Sequence, residues 1–184
     1  FYNFIMNFPI LSSLILLPTV GAFFILVNRT NDNSKNLSSK YVALFVSFAN
    51  FFISIYLWYI FDPSTYDFQF VESKLWLYGL INYKVGVDGI SILFIVLSTF
   101  IAPLCIISVN QTINNKLKDF LIAILLMESL MIGVFCSLDL IIFYLFFEAG
   151  LIPMFLIIGI WGGERRIYSA FKFFLFTLLG SVLM

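Results

Sequence analysis

Two glutamates and a lysine lie inside long apolar stretches of the sequence, and these are the residues best suited to chemistry. Glu148 is the ninth residue of an apolar run that begins at Leu140, Glu128 lies in the preceding run, and Lys172 lies in the following one. An ionised side chain at the centre of a bilayer costs about 3 to about 10 kcal/mol or more. Such residues therefore tend to face protein, water or an opposite charge, and acidic and basic groups placed in this way can pass protons.

The two glutamates each allow two interpretations. A carboxyl group near the middle of a membrane helix can load and release a proton, or it can stay neutral and hydrogen-bond to a neighbouring helix. The helices that contain Glu128 and Glu148 follow one another, so they would run antiparallel. If their polar faces coincide, both carboxyl groups line one polar axis. We predict Glu148 as the principal proton relay and Glu128 as a second candidate relay.

Lys172 lies about one and a half turns into the last apolar run, roughly 8 Å from its start at 1.5 Å per residue. A lysine at this depth can extend its ammonium group to the membrane surface. It can equally serve as a third candidate relay, because Arg165 and Arg166 lie about two turns before it.

The composition indicates whether these residues belong to a soluble protein or to a membrane protein. Of the 184 residues, 62% are apolar and 11% are charged, and a soluble domain is nearer half apolar and a quarter charged. The sequence therefore predicts a membrane protein. Its net charge of zero argues against nucleic-acid binding. It has no histidine, and both Cys105 and Cys136 lie in apolar runs, so we expect this chain to hold no haem, iron–sulfur cluster, zinc or other cofactor.

Six stretches approach the roughly 20 residues that cross a bilayer as a helix. The predicted spans are Phe8–Val27, Tyr41–Phe61, Gly89–Val109, Phe120–Leu138, Leu140–Ile160 and Ile167–Met184.

The segments between these spans differ in character. Asn28–Lys40 and Asn110–Lys118 read as polar loops, and Trp161–Arg166 reads as a short basic loop. Asp88 and Asp139 are placed to cap the third and fifth helices. Between helices two and three, alternation in Tyr66–Val71 and a second short run at Tyr83–Val87 predict a β-hairpin on the membrane surface.

The predicted fold is therefore an all-α integral membrane protein of about six transmembrane helices, with a short surface hairpin within residues 62–88. We expect residues 1–118 to form an N-terminal group of three transmembrane helices. Residues 119–184 would form the first half of a helical repeat.

Basic residues predict the orientation. The three loops on the side opposite the N-terminus contain seven of them, whereas the N-terminal side has only Lys74 and Lys84. The positive-inside rule then places the seven-residue side in the cytoplasm or the mitochondrial matrix. The seven are Arg29, Lys35, Lys40, Lys116, Lys118, Arg165 and Arg166.

Specific motifs add a resemblance. The sequence VGVDGIS at residues 85–91, the preceding FDPSTYDFQFVE, and above all DLIIFYLFFEAGLIPMFLIIGIWGGERRIYSAFKFFLFTLLGS at residues 139–181 resemble the subunit 4 family of mitochondrial NADH:ubiquinone oxidoreductase (complex I). Members of this family are antiporter-like membrane subunits.

The resemblance implies a proton-translocating membrane-arm subunit without redox cofactors. Glu148 matches the family's glutamate on the fifth helix, which pairs with a lysine two helices later. That lysine lies beyond the present six helices, and Lys172 falls one helix too early to replace it. The resemblance also implies that this chain is the N-terminal part of such a subunit, and that the first half of an antiporter-like repeat lies in residues 119–184.

The expected partners are other complex I membrane subunits, a chain that carries the remaining helices, and lipid. The expected location is the mitochondrial inner membrane, with the N-terminus on the intermembrane-space side. Two alternatives stay open: a stand-alone cation/proton antiporter subunit, and a structural membrane scaffold in which Glu148 only joins helices.

Overall fold

The protein is a bundle of six helices with one two-stranded hairpin. The computed structural model describes residues 9–27, 33–76, 81–109 and 116–183. All six helices are long and apolar enough to cross a membrane, so the predicted all-α membrane fold is confirmed. The helices are α1 (Ile10–Val27), α2 (Asn33–Ile60), α3 (Ser91–Ser108), α4 (Leu117–Cys136), α5 (Leu140–Trp161) and α6 (Arg166–Leu183), and the strands are β1 (Gln69–Trp76) and β2 (Ile81–Val87).

The second helix begins earlier than hydropathy predicts. The predicted span starts at Tyr41, but α2 starts at Asn33, so the polar loop predicted for Asn28–Lys40 is wrong from residue 33 onward. Hydropathy detects only the part of a helix that suits hydrocarbon, whereas polar turns outside the apolar layer still satisfy their own backbone hydrogen bonds. Residues 28–32 and 110–115 of the predicted loops lie outside the described residues, as do Phe8 and Met184.

The hairpin exists, but its first strand lies further along the chain than predicted. The strand expected at Tyr66–Val71 is observed at Gln69–Trp76, whereas the second run lies within β2 as predicted. Side-chain hydrogen bonds hold the preceding segment in a turn, because the Gln69 amide donates to the Asp62 carbonyl over 2.6 Å. A bulge follows at Phe70, whose φ of 53° accompanies an irregular register between Gln69 and Glu72. Alternation in the sequence does not reveal such a turn.

The hairpin is docked on the ends of the helices. Val85 and Val87 of β2 are fully buried in an apolar core with residues of α1, α3 and α4. The backbone amide of Leu138, in the α4–α5 turn, donates to the carbonyl of Lys84 over 3.0 Å. We call this side of the bundle the hairpin end and the opposite side the basic end. Lys40, Lys116, Lys118, Arg165 and Arg166 belong to the basic end.

Carboxylates cap three of the helices at the hairpin end. Glu72 of β1 accepts hydrogen bonds from the backbone amides of Leu11 (2.8 Å) and Ser12 (3.2 Å) at the start of α1. Asp139 accepts from the Ile141 amide, which confirms its predicted cap on α5. Asp88 accepts from the Ser91 amide over 2.7 Å, which confirms its predicted cap on α3, and the bonds from Ser91 lower the pKa of this carboxyl. Each bond satisfies an otherwise free first-turn amide.

Helix α4 lies at the centre of the bundle. It packs against α1, α2, α3 and α5, whereas α6 packs mainly on α5. Buried residues amount to 44% of the α1 and α4 spans, 17% of the α5 span and only 6% of the α6 span. The bundle is therefore compact around α4 and open on its α5–α6 side.

Candidate proton-relay sites

Glu148 lies on α5, and α6 supplies its hydrogen-bond partner. The Ser181 hydroxyl is bonded to the Glu148 carboxyl group at Oε1 and also lies 2.9 Å from the Leu178 carbonyl oxygen. A serine hydroxyl can donate to an ionised carboxylate. It can instead accept from a protonated carboxyl group while it donates to the Leu178 carbonyl. Ser181 is therefore able to stabilise Glu148 in both protonation states.

The backbone around Glu148 adds a further polar group. Pro153 lies within α5 and is itself buried. Because proline has no amide hydrogen, the carbonyl of Ala149, four residues earlier, lacks its usual partner within the helix. In a membrane, freed carbonyls of this kind require neighbouring helices or water. The carbonyl next to Glu148 thus offers an acceptor to water molecules that approach the carboxyl group.

Lys172 lies on α6 on the exposed side of the bundle. Its ammonium nitrogen is 5.9 Å from the centre of the Tyr168 ring, a cation–π contact one turn earlier on the same helix. The side chain is exposed and lies closer to the basic end than Ser181 does. Lys172 therefore lies on the same helix as Ser181, the partner of Glu148, but at a different depth in the membrane.

Glu128 is in a different environment from Glu148. It is 4% exposed on α4, and its Oε1 accepts a hydrogen bond of 2.7 Å from the side-chain amide of Asn50 on α2. Asn50 is completely buried. Two atoms of this pair, Asn50 Oδ1 and Glu128 Oε2, are buried without a hydrogen-bond partner among the described residues. The pair therefore joins α4 to α2 and still leaves two acceptors unsatisfied.

Among the described residues, no hydrogen-bond partner is shared by the two carboxyl groups. Glu128 is bonded towards α2, on one side of α4, whereas Glu148 is bonded towards α6. The two glutamates thus have different hydrogen-bond partners on different helices, and the single polar axis stays a prediction. Periodicity fixes which residues share a face of one helix, but not how two helices are turned relative to each other.

Two partner residues were missed by the sequence reasoning. Asn50 and Ser181 are the hydrogen-bond partners of the two glutamates, and neither was singled out. Each had a detectable signal, because an amide inside an apolar span, or a hydroxyl, tends to bond across helices. What the sequence could not supply was the pairing of each polar residue with its partner.

Comparisons with known proteins show which sequences this chain is similar to. Residues 137–184 match a family model described as the transmembrane part of NADH:quinone oxidoreductase and Mrp antiporters. NADH-quinone oxidoreductase subunit M of Rhodobacter capsulatus is 53% identical over 95% of this chain and 34% of its own length. NADH-ubiquinone oxidoreductase chain 4 is 46% identical in Marchantia polymorpha and 48% identical in Arabidopsis thaliana, each over 95% of this chain and 35% of the relative.

These relatives place the chain within a longer sequence. The chain spans only about a third of their length, and the match covers their N-terminal part. Over nearly all its residues, the chain is therefore a homologue of the N-terminal third of proteins named NADH-quinone oxidoreductase subunit M or NADH-ubiquinone oxidoreductase chain 4.

Proposed function

We propose that this chain is part of a proton-translocating membrane-arm subunit of a respiratory NADH:quinone oxidoreductase. The observation that carries the proposal is Glu148, a carboxyl group deep in a membrane helix whose partner hydroxyl, Ser181, suits both of its protonation states. The names of the relatives supply the complex in which this chemistry would take place. The chain itself would hold no redox cofactor, and electron transfer in other subunits would drive the proton movement.

In this mechanism Glu148 takes up a proton and later releases it. Water approaching through the polar backbone near Pro153 delivers the proton, and Ser181 reorients as the charge on the carboxyl group changes. A basic group outside the described residues lowers the cost of the ionised state. Lys172, nearer the basic end, would serve the exit or entry of protons on that side.

The second part of the proposal concerns a partner segment. Lys172 and half-buried Glu148 lie on the most open side of the bundle, where 6% of the α6 span and 17% of the α5 span are buried. Polar groups of this kind are costly in contact with lipid tails. We propose that further transmembrane helices, from the part of the subunit that extends beyond the matched third, cover this side together with lipid.

The proposed location is an energy-transducing inner membrane, which in a mitochondrion is the inner mitochondrial membrane. The basic end would face the matrix, and the hairpin end, with the start of α1, would face the intermembrane space. The support is the number of basic side chains, because only Lys74 and Lys84 belong to the hairpin end. A protease-accessible tag inserted in the segment between β1 and β2, cleaved only from the intermembrane-space side, tests this orientation.

The central test is the substitution Glu148→Gln, which keeps the size and hydrogen-bonding capacity of the side chain but removes its proton exchange. We expect the assembled complex to form in normal amount and to lose proton pumping coupled to NADH oxidation. The matched control is Glu164→Gln, which changes an exposed loop carboxylate. A Glu148→Gln complex with an unchanged ratio of protons pumped to electrons transferred would refute the proposed role.

The alternative of a stand-alone cation/proton antiporter has one supporting observation. The family model that matches residues 137–184 is shared by NADH:quinone oxidoreductases and Mrp antiporters. The identity of the copurifying chains separates the two functions. Flavin and iron–sulfur subunits support the oxidoreductase, whereas a complex made only of membrane subunits supports the antiporter.

A further inference from the structure

A polar stripe runs along the inner face of α2, away from Glu148. Ser47, Asn50 and Ser54 are spaced three and four residues apart, and all three are 0% exposed. Residues at this spacing lie on one helical face. Within the apolar part of this helix, this face is the one turned towards the interior of the bundle.

The stripe contacts polar residues on two other helices. The Ser54 hydroxyl lies 2.7 Å from the Thr99 hydroxyl of α3, and both groups are buried. One turn away, the Asn50 amide donates to Glu128 of α4. Polar side chains from α2, α3 and α4 therefore meet at the centre of the three-helix contact, where hydrocarbon or packed apolar side chains would otherwise lie.

This cluster contains more buried hydrogen-bond acceptors than the described residues supply donors for. Asn50 Oδ1 and Glu128 Oε2 are both acceptors when the carboxyl group is ionised, and neither has a donor among the described residues. Leaving a buried acceptor without a donor is destabilising. A proton on Glu128 Oε2 turns that atom into a donor, and one water molecule, with two O–H groups, can donate to both atoms. Either a proton on Oε2 or an ordered water molecule would supply a donor to this pair of acceptors.

From this imbalance we propose that Asn50 and Glu128 form a second proton-binding site. A proton transfers from hydronium, through an internal water molecule, to Glu128 Oε2, leaves a neutral water molecule behind, and returns by the reverse step. Asn50 is the positioning residue, because its amide holds Oε1 and thereby leaves Oε2 as the atom that titrates. This site lies on helices α2 and α4 and does not depend on the role proposed for Glu148.

A buried lysine precedes each member of the pair on the side of the basic end. Lys118, which is 7% exposed, lies ten residues before Glu128, about 15 Å along α4. Lys40 is 6% exposed and stands ten residues before Asn50 on α2. Each of the two helices thus carries a buried lysine on the same end of the bundle, and protons would reach the Asn50–Glu128 pair from that end.

Few other charges influence Glu128. Of the elements packed against α4, helices α1 and α3 contain no Asp, Glu, Lys or Arg, and the one titratable group of α3, Cys105, is exposed. On α5, Glu148 is bonded to α6 and Tyr144 is exposed. On β2, Lys84 is exposed and the Tyr83 hydroxyl lies 3.2 Å from that of Ser12. On α2, the side chains of the tyrosines Tyr41, Tyr56 and Tyr59 are exposed.

Infrared difference spectroscopy tests the proposal on the protein purified with its native partners. The Glu148→Gln background removes the carboxyl group of α5, so that its band does not overlap that of Glu128. We expect acid-minus-alkaline spectra to show a protonated-carboxyl band that shifts in heavy water and disappears in the additional Glu128→Gln variant. The additional variant Asn50→Leu should move the frequency of this band, because the carboxyl group loses its amide partner, whereas the control Ser98→Ala should leave the band unchanged.

Two results would overturn the inference. The first is a Glu128 carboxyl band that has the same intensity in acidic and alkaline buffer. This result is expected if the carboxyl group stays protonated and only links two helices by a hydrogen bond. The second is a band that responds to added sodium at constant pH but not to pH, which would make the pair a cation site. If Glu128→Gln fails to fold, the pH response of the band in the glutamate-labelled Asn50→Leu protein decides between the same outcomes.

Discussion

At the scale of single residues, the two membrane glutamates differ in the partner that each has. Glu148 is bonded to a hydroxyl group, which can donate or accept, whereas the amide nitrogen of Asn50 can only donate to Glu128. A hydroxyl partner permits the charge on a carboxyl group to change without breaking the contact. This difference could not be predicted from the sequence, because it depends on which helix each carboxyl group faces.

The role of Ser181 can be tested by its substitution with alanine. Ser181→Ala removes the group that adapts to both states of Glu148, so we expect slower proton translocation and a shifted pH optimum, with less effect than Glu148→Gln. The measurement is proton pumping by the assembled complex in vesicles over a range of pH. Ser98→Ala is the matched control, because the Ser98 hydroxyl bonds only to carbonyls of its own helix. Equal effects of both substitutions would remove Ser181 from the mechanism.

At the scale of the elements, hydropathy predicted the helices well and the hairpin less well. The α5 span Leu140–Ile160 differs from the observed helix by one residue, because both ends coincide with a polar break in the sequence. By contrast, β1 was misplaced, because its start depends on the bulge at Phe70 and on side-chain bonds to Asp62. Local composition determines where a helix crosses the hydrocarbon layer of a membrane, whereas strand register depends on the partner strand and on the turn.

The contact between the hairpin and α1 is a further feature that composition did not reveal. Glu72 reaches the first turn of α1 from a strand about sixty residues away in sequence. The neighbouring Tyr83 hydroxyl stays a neutral group, because burial raises the pKa of this phenol. Glu72 therefore attaches the hairpin to the bundle through free helix amides and the helix dipole.

Substitution of Glu72 tests the importance of this cap. We expect Glu72→Ala to lower the free energy of unfolding by about 1–2 kcal/mol, because first-turn amides of α1 lose their acceptor. Glu72→Gln, which keeps one acceptor oxygen, should cost less. Thermal unfolding in detergent measures both, with Asp67→Ala as an exposed control in the same connection. If Glu72→Ala and Asp67→Ala had the same effect, the cap would contribute nothing to stability.

The close contact of α4 and α5 depends on a glycine. A Cβ atom at Gly133 would lie 2.7 Å from the ring of Phe146, whereas one at Gly150 would meet nothing within 4 Å. We expect Gly133→Ala to cost about 1–3 kcal/mol through overpacking and Gly150→Ala to be neutral. Adding Phe146→Leu to Gly133→Ala should recover part of the loss. Unfolding midpoints of the four proteins provide the measurement, and equal midpoints for the two alanine variants would contradict it.

At the scale of the whole molecule, the bundle is unevenly covered. Helices α1 and α4 are buried over 44% of their spans, but α6 is buried over 6% and carries both an exposed lysine and the partner of Glu148. Lipid suits the apolar side chains of α6, whereas Lys172 must either extend its ammonium group to the membrane surface or face a polar partner. This asymmetry is the observation behind the proposal that protein covers the polar side of α5 and α6.

Spin labels can distinguish protein from lipid on these surfaces. A label at Phe176 on α6 should be accessible to a lipid-soluble quencher in the isolated chain and protected in the assembled complex. A label at Phe45, exposed on α2, is the comparison, because α2 lies away from the open side. This protection should depend on the segment that follows the matched third in the relatives. Adding that segment alone to the isolated chain should therefore be enough to protect the label at Phe176. If Phe176 remained as accessible as Phe45 in the full complex, lipid would cover α6, and Glu148 would have to obtain its basic partner from another direction.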